Sequence, residues 1–125
     1  MTQDEIENWA SAYIEVNQLP VGEQHDSPLW WAIERFILPE ESQEAEDAWS
    51  AILAVLRHQP PVEVIGILAA GPLEDIIEYW GAEFINRIEN EARINPAFRH
   101  LLGGVWESST PENWRRIETV RGEAW

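Results

Sequence analysis

Three closely spaced carboxylates, Glu74, Asp75 and Glu78, are the best candidates in this sequence for acid–base chemistry. Glu74 and Glu78 are four residues apart on a predicted helix, where like charges repel by about 0.2–0.5 kcal/mol. Glu74 and Asp75 also lie in its first turn, where the helix dipole stabilises each by roughly 0.3–1 kcal/mol. Because these effects nearly cancel, no functional compensation is needed, and we expect these residues to bind a partner rather than to catalyse.

Other chemistry has little support in the sequence. His25, His58 and His100 lie in different predicted elements and form no H-E-x-x-H pattern. There is no calcium-binding loop, no glycine-rich phosphate loop and no nucleophile elbow. The chain also contains no cysteine, which excludes disulfides and thiolate sites. We therefore expect no catalytic residue, no metal and no cofactor.

The charge of the chain is typical either of a protein with a basic partner or of one whose acids serve only solubility. The formal net charge is −15, and all eight basic residues are arginines. Residues 1–60 hold 12 acids and two arginines, so their formal charge is −10. Such a field attracts cationic proteins and repels nucleic acid and anionic membranes. Glu40, Glu41 and Glu44, in and beside the first turn of a predicted helix, are the candidate steering residues, although acids at a helix start also simply match its dipole.

Eight tryptophans in 125 residues supply more aromatic surface than a small core requires. Each can bury on the order of 150–250 Å². Trp30 and Trp31 are adjacent, so they point about 100° apart on a predicted helix and cannot share one narrow stripe. We predict that Trp31 is partly exposed and anchors a partner.

Helix starts are the clearest structural signals. Thr2 and Glu5 form a capping-box pattern, and Ser27, Ser42, Asn95 and Thr110 are predicted N-caps, three of them followed by proline. One helix is predicted over residues 28–38, and others are predicted to follow the caps Thr2, Ser42, Asn95 and Thr110. Val62–Leu68 is also interpreted as a short helix. Residues 17–26 are predicted to form a loop, and the tail 123–125 to be mobile. This pattern predicts an all-α protein of about eight short helices in stacked or orthogonal hairpins, with a HEAT-like arrangement as an alternative.

The stretch from Leu68 to Gly81 organises this fold. Gly71 is predicted to end one helix in the left-handed conformation, and Pro72 to begin the next. Leu73, Ile76, Ile77 and Trp80 then form one apolar stripe at helical spacing. Gly81 is predicted to turn the chain into a helical hairpin; one kinked helix over 72–94 is the alternative.

Length and hydropathy place the chain among globular proteins. A chain of 125 residues with 45% hydrophobic content is sufficient for one domain, predicted over residues 1–125. The acidic N-terminus has no signal-peptide pattern, and no apolar run approaches membrane-spanning length. We expect a cytoplasmic protein.

Several residue runs together resemble a family of small bacterial proteins known only as a domain of unknown function. These runs are Gly71-Pro-Leu-Glu-Asp75, Phe84-Ile85, Asn95-Pro-Ala-Phe-Arg99 and Leu102-Gly-Gly-Val-Trp106, and the resemblance extends over roughly residues 45–121. The resemblance implies a bacterial, helical, single-domain protein and supplies no catalytic residue.

Three classes of function remain. The first is a small acidic binding module, of the inhibitor, immunity-protein or antitoxin type, that blocks a basic protein. The alternatives are a small hydrolase that uses Glu74, Asp75 or a histidine, and a helical scaffold or oligomer subunit.

Overall fold

A computed structural model describes all residues from Met1 to Trp125 and contains helices and turns but no strand. The all-α prediction is therefore confirmed. The chain folds as two compact units, Met1–Val64 and Ile65–Trp125. The single domain expected over 1–125 stays a prediction.

The first unit is built on two long helices, α1 (Gln3–Asn17) and α4 (Ser42–Arg57). Short helices α2 (Val21–Gln24) and α3 (Trp31–Glu34) lie between them in sequence, and α1 contacts α2, α3 and α4. The capping box is confirmed, because Thr2 Oγ1 accepts from the Glu5 amide and Glu5 Oε1 accepts from the Thr2 amide. Ile6, Trp9, Tyr13 and Val16, which recur at helical spacing along α1, are buried.

The helix predicted over residues 28–38 is wrong in extent, because only Trp31–Glu34 is α-helical. The indole nitrogen of Trp9 donates to the Ala32 carbonyl over 2.9 Å. The Phe36 amide, which would use that carbonyl in a regular helix, donates to the Ile33 carbonyl instead. A tertiary hydrogen bond has thus converted the end of this helix into tighter turns. Phe36 remains buried, and its ring lies 4.4 Å from that of Trp9.

Two smaller corrections concern the same unit. Residues 17–26, predicted as a loop, include helix α2. Helix α4 begins one residue earlier than expected, with Glu41 at the N-cap instead of Ser42. The Glu41 amide donates to Glu44 Oε1 over 3.1 Å, so the Glu44 side chain caps the N-terminus of α4.

Residues 62–94 form one uninterrupted helical run across the expected helix break. It comprises α5 (Val62–Leu68), a π-helical turn (Ala69–Leu73) and α6 (Glu74–Ile94). The helix predicted for Val62–Leu68 is confirmed. The left-handed Gly71 is wrong, since no glycine has a positive φ. Pro72 has no amide hydrogen for the Leu68 carbonyl and would crowd it, and the wider π turn accommodates the ring without ending the helix.

The hairpin predicted at Gly81 is also wrong, and the kinked-helix alternative is correct. Trp80 has non-helical dihedral angles, φ −128° and ψ 19°, while α6 continues to Ile94. Gly81 is buried, and a Cβ there would lie 2.5 Å from Ser109 Oγ. A Cβ at this position would displace the Ser109 side chain, so glycine favours the close approach of the loop before α8 (Pro111–Val120) and does not reverse the chain.

The rest of the second unit packs on α6. Helix α7 (Pro96–Leu102) and helix α8 both contact it. Their predicted caps are confirmed: Asn95 accepts from the amides of Ala97 and Phe98, and Thr110 accepts from that of Asn113. Of the predicted apolar stripe, Leu73, Ile76 and Ile77 are buried, whereas Trp80 is only half-buried. The rest of the core of this unit includes Phe84, Ile85, Ile88, Phe98, Leu101, Trp114 and Ile117.

The C-terminal tail, expected to be mobile, is held against α7. The Trp125 amide donates to the Gly103 carbonyl over 2.9 Å, and the Gly122 amide donates to the Arg99 carbonyl over 3.2 Å. The indole nitrogen of Trp125 donates to the His100 carbonyl over 3.1 Å. A Cβ on Gly104 would lie 2.5–2.7 Å from three carbons of the Trp125 ring. The tail therefore docks through both its backbone and its last side chain.

Candidate partner-binding surface

The acidic start of α4, defined as Glu40, Glu41 and Glu44, is exposed to solvent. None of these three carboxylates takes part in an ion pair. Glu44 caps the helix through the Glu41 amide, and such a hydrogen bond leaves the negative charge in place. The local structure thus satisfies the helix end and leaves a net negative surface.

Trp31 is less available than predicted. It is half-buried, and the guanidinium carbon of Arg35 lies 5.0 Å from the centre of its ring. The same guanidinium lies 5.6 Å from the ring of the buried Trp9. Arg35 therefore covers both tryptophans by cation–π contact. The prediction of a partly exposed Trp31 is correct in degree, but its ring already has a cationic neighbour.

Two neighbouring cavities connect Trp31 with the acidic start of α4. The larger, of about 300 Å³, is lined by Met1, Glu5, Trp9, Arg35, Glu44 and Asp47. The smaller, of about 240 Å³, is lined by Glu5, Asn8, Trp31 and Arg35. Because the two share Glu5 and Arg35, they place Trp31 beside one cavity and Glu44 beside the next. Glu40 and Glu41 do not line either.

Three charged residues of these cavities were not identified from the sequence. Glu5 was interpreted only as a helix cap, and its hydrogen bonds with Thr2 do hold the pKa of its carboxyl below the usual range. Asp47 lies one turn after Glu44 on α4 and accepts a hydrogen bond from the amino group of Met1 over 3.4 Å. Arg35 carried no pattern that distinguishes it. Spacing could have linked Asp47 to Glu44, but nothing local links α1 with Arg35.

Glu74, Asp75 and Glu78 lie in the second unit, near the start of α6. Burial, and then the neighbouring charge of Glu74, raises the pKa of Asp75. Glu78 is exposed and accepts a hydrogen bond from the Ser109 amide over 2.8 Å. Glu78 therefore stabilises the loop before α8, a role that the sequence did not indicate.

The three histidines lie in separate settings. The ring of His25 lies 4.8 Å from that of Trp30, and the ring of His100 lies 5.1 Å from that of Trp125. His58 Nε2 is 2.7 Å from Glu7 Oε2, while Arg57 binds the other carboxylate oxygen over 2.8 Å. The contacts of Glu7 join α1 to the end of α4. No group of three or more histidine, aspartate or glutamate side chains is arranged to hold a metal ion.

Membrane insertion of a helix has no support in the fold. Even the longest helix lacks the continuous apolar stretch that would be needed to cross a bilayer.

Comparison with known proteins gives a family and no activity. A search of curated proteins and a search of solved structures each found no match. One family model matches residues 19–125, a wider range than residues 45–121, over which the sequence resemblance extends. The matched range includes Trp31 and the acidic start of α4 but not α1. The chain therefore belongs to the family described as "Family of unknown function (DUF6869)".

Proposed function

We propose that this chain is a binding module that holds or blocks a basic protein partner, as an inhibitor, immunity protein or antitoxin does. The supporting observation is the acidic start of α4, whose three carboxylates are exposed and without ion pairs. Carboxylates that neither stabilise the fold by pairing nor lie buried are available to a cationic surface. A cytoplasmic location, and the lack of direct nucleic-acid binding, belong to the same proposal.

The charge of the first unit strengthens this argument. Residues 1–64 hold 13 acids and two arginines, which gives a formal charge of −11. Both arginines have neighbours: Arg57 pairs with Glu7, and Arg35 lies over two tryptophans. Since the Debye length is about 8 Å at physiological ionic strength, such a field acts mainly as the partner approaches. Acids of this kind raise the association rate and make it sensitive to salt.

The two cavities beside Arg35 supply a place for individual side chains of the partner. Glu5, Glu44 and Asp47 can accept hydrogen bonds from an arginine or lysine that enters the larger cavity. Trp31 and Arg35 both line the smaller cavity. A Trp31→Ala substitution removes part of this wall and frees Arg35, so it should accelerate dissociation.

The test is capture followed by kinetics. The full chain is immobilised, and proteins from the native host are bound at low and at high salt. A basic protein retained only at low salt is purified, and its association is measured with wild type and with the variant Glu40→Gln/Glu41→Gln/Glu44→Gln. The control variant carries the same charge change at three exposed acids elsewhere in the first unit, Glu15→Gln/Glu23→Gln/Glu63→Gln.

We expect the α4 variant to associate more slowly and with a weaker salt dependence than the control variant. Trp31→Ala should chiefly increase the dissociation rate. Equal effects of the two triple variants would reduce the interaction to non-specific charge attraction and refute the proposal. Recovery of no basic partner, combined with turnover of a small substrate by the purified chain, would favour an enzyme.

One observation supports the enzyme alternative. The pKa of Asp75 is raised by burial and by Glu74, and a carboxylic acid with a raised pKa is a common general acid. If Asp75 has this role, Asp75→Asn abolishes turnover while Glu78→Gln, on the same helix, retains most of it. The binding proposal predicts no turnover for wild type in the first place.

A further inference from the structure

Two consecutive aliphatic side chains, Ile37 and Leu38, are exposed directly before the acidic start of α4. Their exposed fractions are 58% and 50%. Both were expected to lie on the helix predicted over 28–38, and Ile37 on its apolar face. Since α3 ends at Glu34, they lie instead in the connection that leads to Pro39 and Glu40. We call Ile37 and Leu38 the apolar pair.

The backbone of Leu38 is unfavourable for leucine. Its φ is +40°, in the left-handed region that glycine and asparagine occupy most readily. Pro39 follows it, and a residue before proline is normally driven to extended conformations. Gln59 also has a positive φ, but it directly follows the end of α4, where left-handed residues commonly close helices. Leu38 therefore occupies a position that favours glycine, and half of its side chain gains nothing from burial.

We propose that the apolar pair is the centre of the partner interface and that the acidic start of α4 is its rim. This inference rests on the proposed function and specifies the occupant: an amphipathic basic segment of a protein. Its aliphatic side chains would cover Ile37 and Leu38, and its arginines or lysines would meet Glu40, Glu41 and Glu44. Charge complementarity favours a basic segment. The three carboxylates of the rim have no ion pair, and they lie within six residues of Leu38 along the sequence.

An apolar centre with a charged rim is a typical arrangement of protein interfaces. A small apolar centre is desolvated on binding and sets the lifetime of the complex, while a charged rim sets the rate of encounter. Trp31, which the sequence favoured as the anchor, is half-buried beneath Arg35 and has less surface to lose to a partner. The apolar pair has no such cover.

Two synthetic peptides of equal length and equal arginine content serve as probes. One has leucines at helical spacing along one face, and the other has serine at each of those positions. Binding of each peptide to the full chain is followed for wild type, Leu38→Gly and Ile37→Ser. The matched control is Val62→Ser, which changes an aliphatic residue that is 73% exposed in the same unit.

We expect wild type to release the leucine peptide about tenfold or more slowly than the serine peptide. Leu38→Gly and Ile37→Ser should remove most of that difference, and Val62→Ser should retain it. Leu38→Gly relieves the left-handed strain but loses the covered half of the leucine side chain, and because these two effects oppose each other the melting temperature should change little. A weaker complex from a fold that is no less stable would assign the side chain of Leu38 to binding.

The outcomes that contradict this inference are distinct from those that contradict the proposed function. If Leu38→Gly releases the leucine peptide at the wild-type rate, the apolar pair is not the centre of the interface. The same conclusion follows if Val62→Ser accelerates release equally. The proposed function survives each of these results, provided that the triple glutamine variant at the start of α4 still slows association of both peptides.

Discussion

The docking of the C-terminal tail can be tested by a double-mutant cycle between Trp125 and Gly104. Trp125 is 56% exposed, so somewhat under half of its surface is covered. Taking the covered area as about 100 Å², its removal by Trp125→Ala costs up to roughly 2.5 kcal/mol at 25 cal/mol per Å². The hydrogen bond from its indole to the His100 carbonyl is lost in the same substitution and adds about 0.5–1.5 kcal/mol to this figure.

Gly104→Ala attacks the same contact from the other side. The new Cβ would lie 2.5–2.7 Å from three ring carbons of Trp125, so the ring must move. The cost of such overpacking is about 1–3 kcal/mol, and it cannot exceed the cost of releasing the side chain altogether. In the Trp125→Ala background the obstructing ring is absent, and Gly104→Ala should be close to neutral.

The double variant should therefore be about as stable as Trp125→Ala alone. Unfolding by urea, followed by circular dichroism at 222 nm, measures the four stabilities, and each kcal/mol should also shift the melting temperature by about 3–5 °C. Gly66→Ala is the control, because a Cβ there meets no atom within 4 Å. Additive effects of Gly104→Ala and Trp125→Ala, within about 0.5 kcal/mol, would show that the Trp125 ring does not pack against Gly104 in solution.

Three further predictions concern the folded state. Ile77→Asp places an unpaired carboxylate at a fully buried position and should lower the free energy of unfolding in urea by several kcal/mol. Glu78→Ala loses the hydrogen bond from the Ser109 amide and should cost only about 0.5–1.5 kcal/mol. Equal costs would mean that the faces of α6 are assigned wrongly. Glu7 accepts a hydrogen bond from Arg57 and makes a second one with His58, and these two, in that order of importance, hold the pKa of Glu7 at about 2, below the unfolded value of 4.5. Its contribution is present above pH 4.5 and lost as the pH falls towards 2, so Glu7→Gln should flatten the acid side of a stability–pH curve in that window, and an unchanged slope would contradict the pairing. Gly66→Ala should raise stability by about 0.5–1 kcal/mol, since the helical position has room for a methyl group, and a lower melting temperature would indicate a hidden clash.

Local chemistry explains which features could be predicted. A cap requires one side chain and an amide two or three residues away, so Thr2, Asn95 and Thr110 correctly predicted the helices that follow them. An apolar stripe depends on the 3.6-residue period of a single helix, and for that reason Leu73, Ile76 and Ile77 of the predicted stripe are buried, while Trp80, at the kink of α6, is only half-buried. The acidic balance, the absence of cysteine and the all-α class belong to the same group, because they follow from composition and periodicity alone.

The candidate surface could be predicted only in part. The sequence identified the exposed acids of α4, because a helix start and a run of glutamates are both local signals. It missed Arg35 and Glu5, which meet only when α1 packs beside α3. It also missed the apolar pair, since the pattern of residues 28–38 is that of a helix and gives no sign that the helix stops at Glu34.

Whether a helix continues or ends was decided by contacts distant in sequence. The Trp9 indole takes a carbonyl that the helix after Trp31 would have used, and this shortens the helix. The opposite occurs between Val62 and Ile94, where glycine and proline favour a break but the chain continues through a π turn and a kink. Each breaker costs only a few kcal/mol locally, which the burial of neighbouring apolar side chains can offset. That balance depends on which surfaces meet in the folded chain, and no short stretch of sequence contains it.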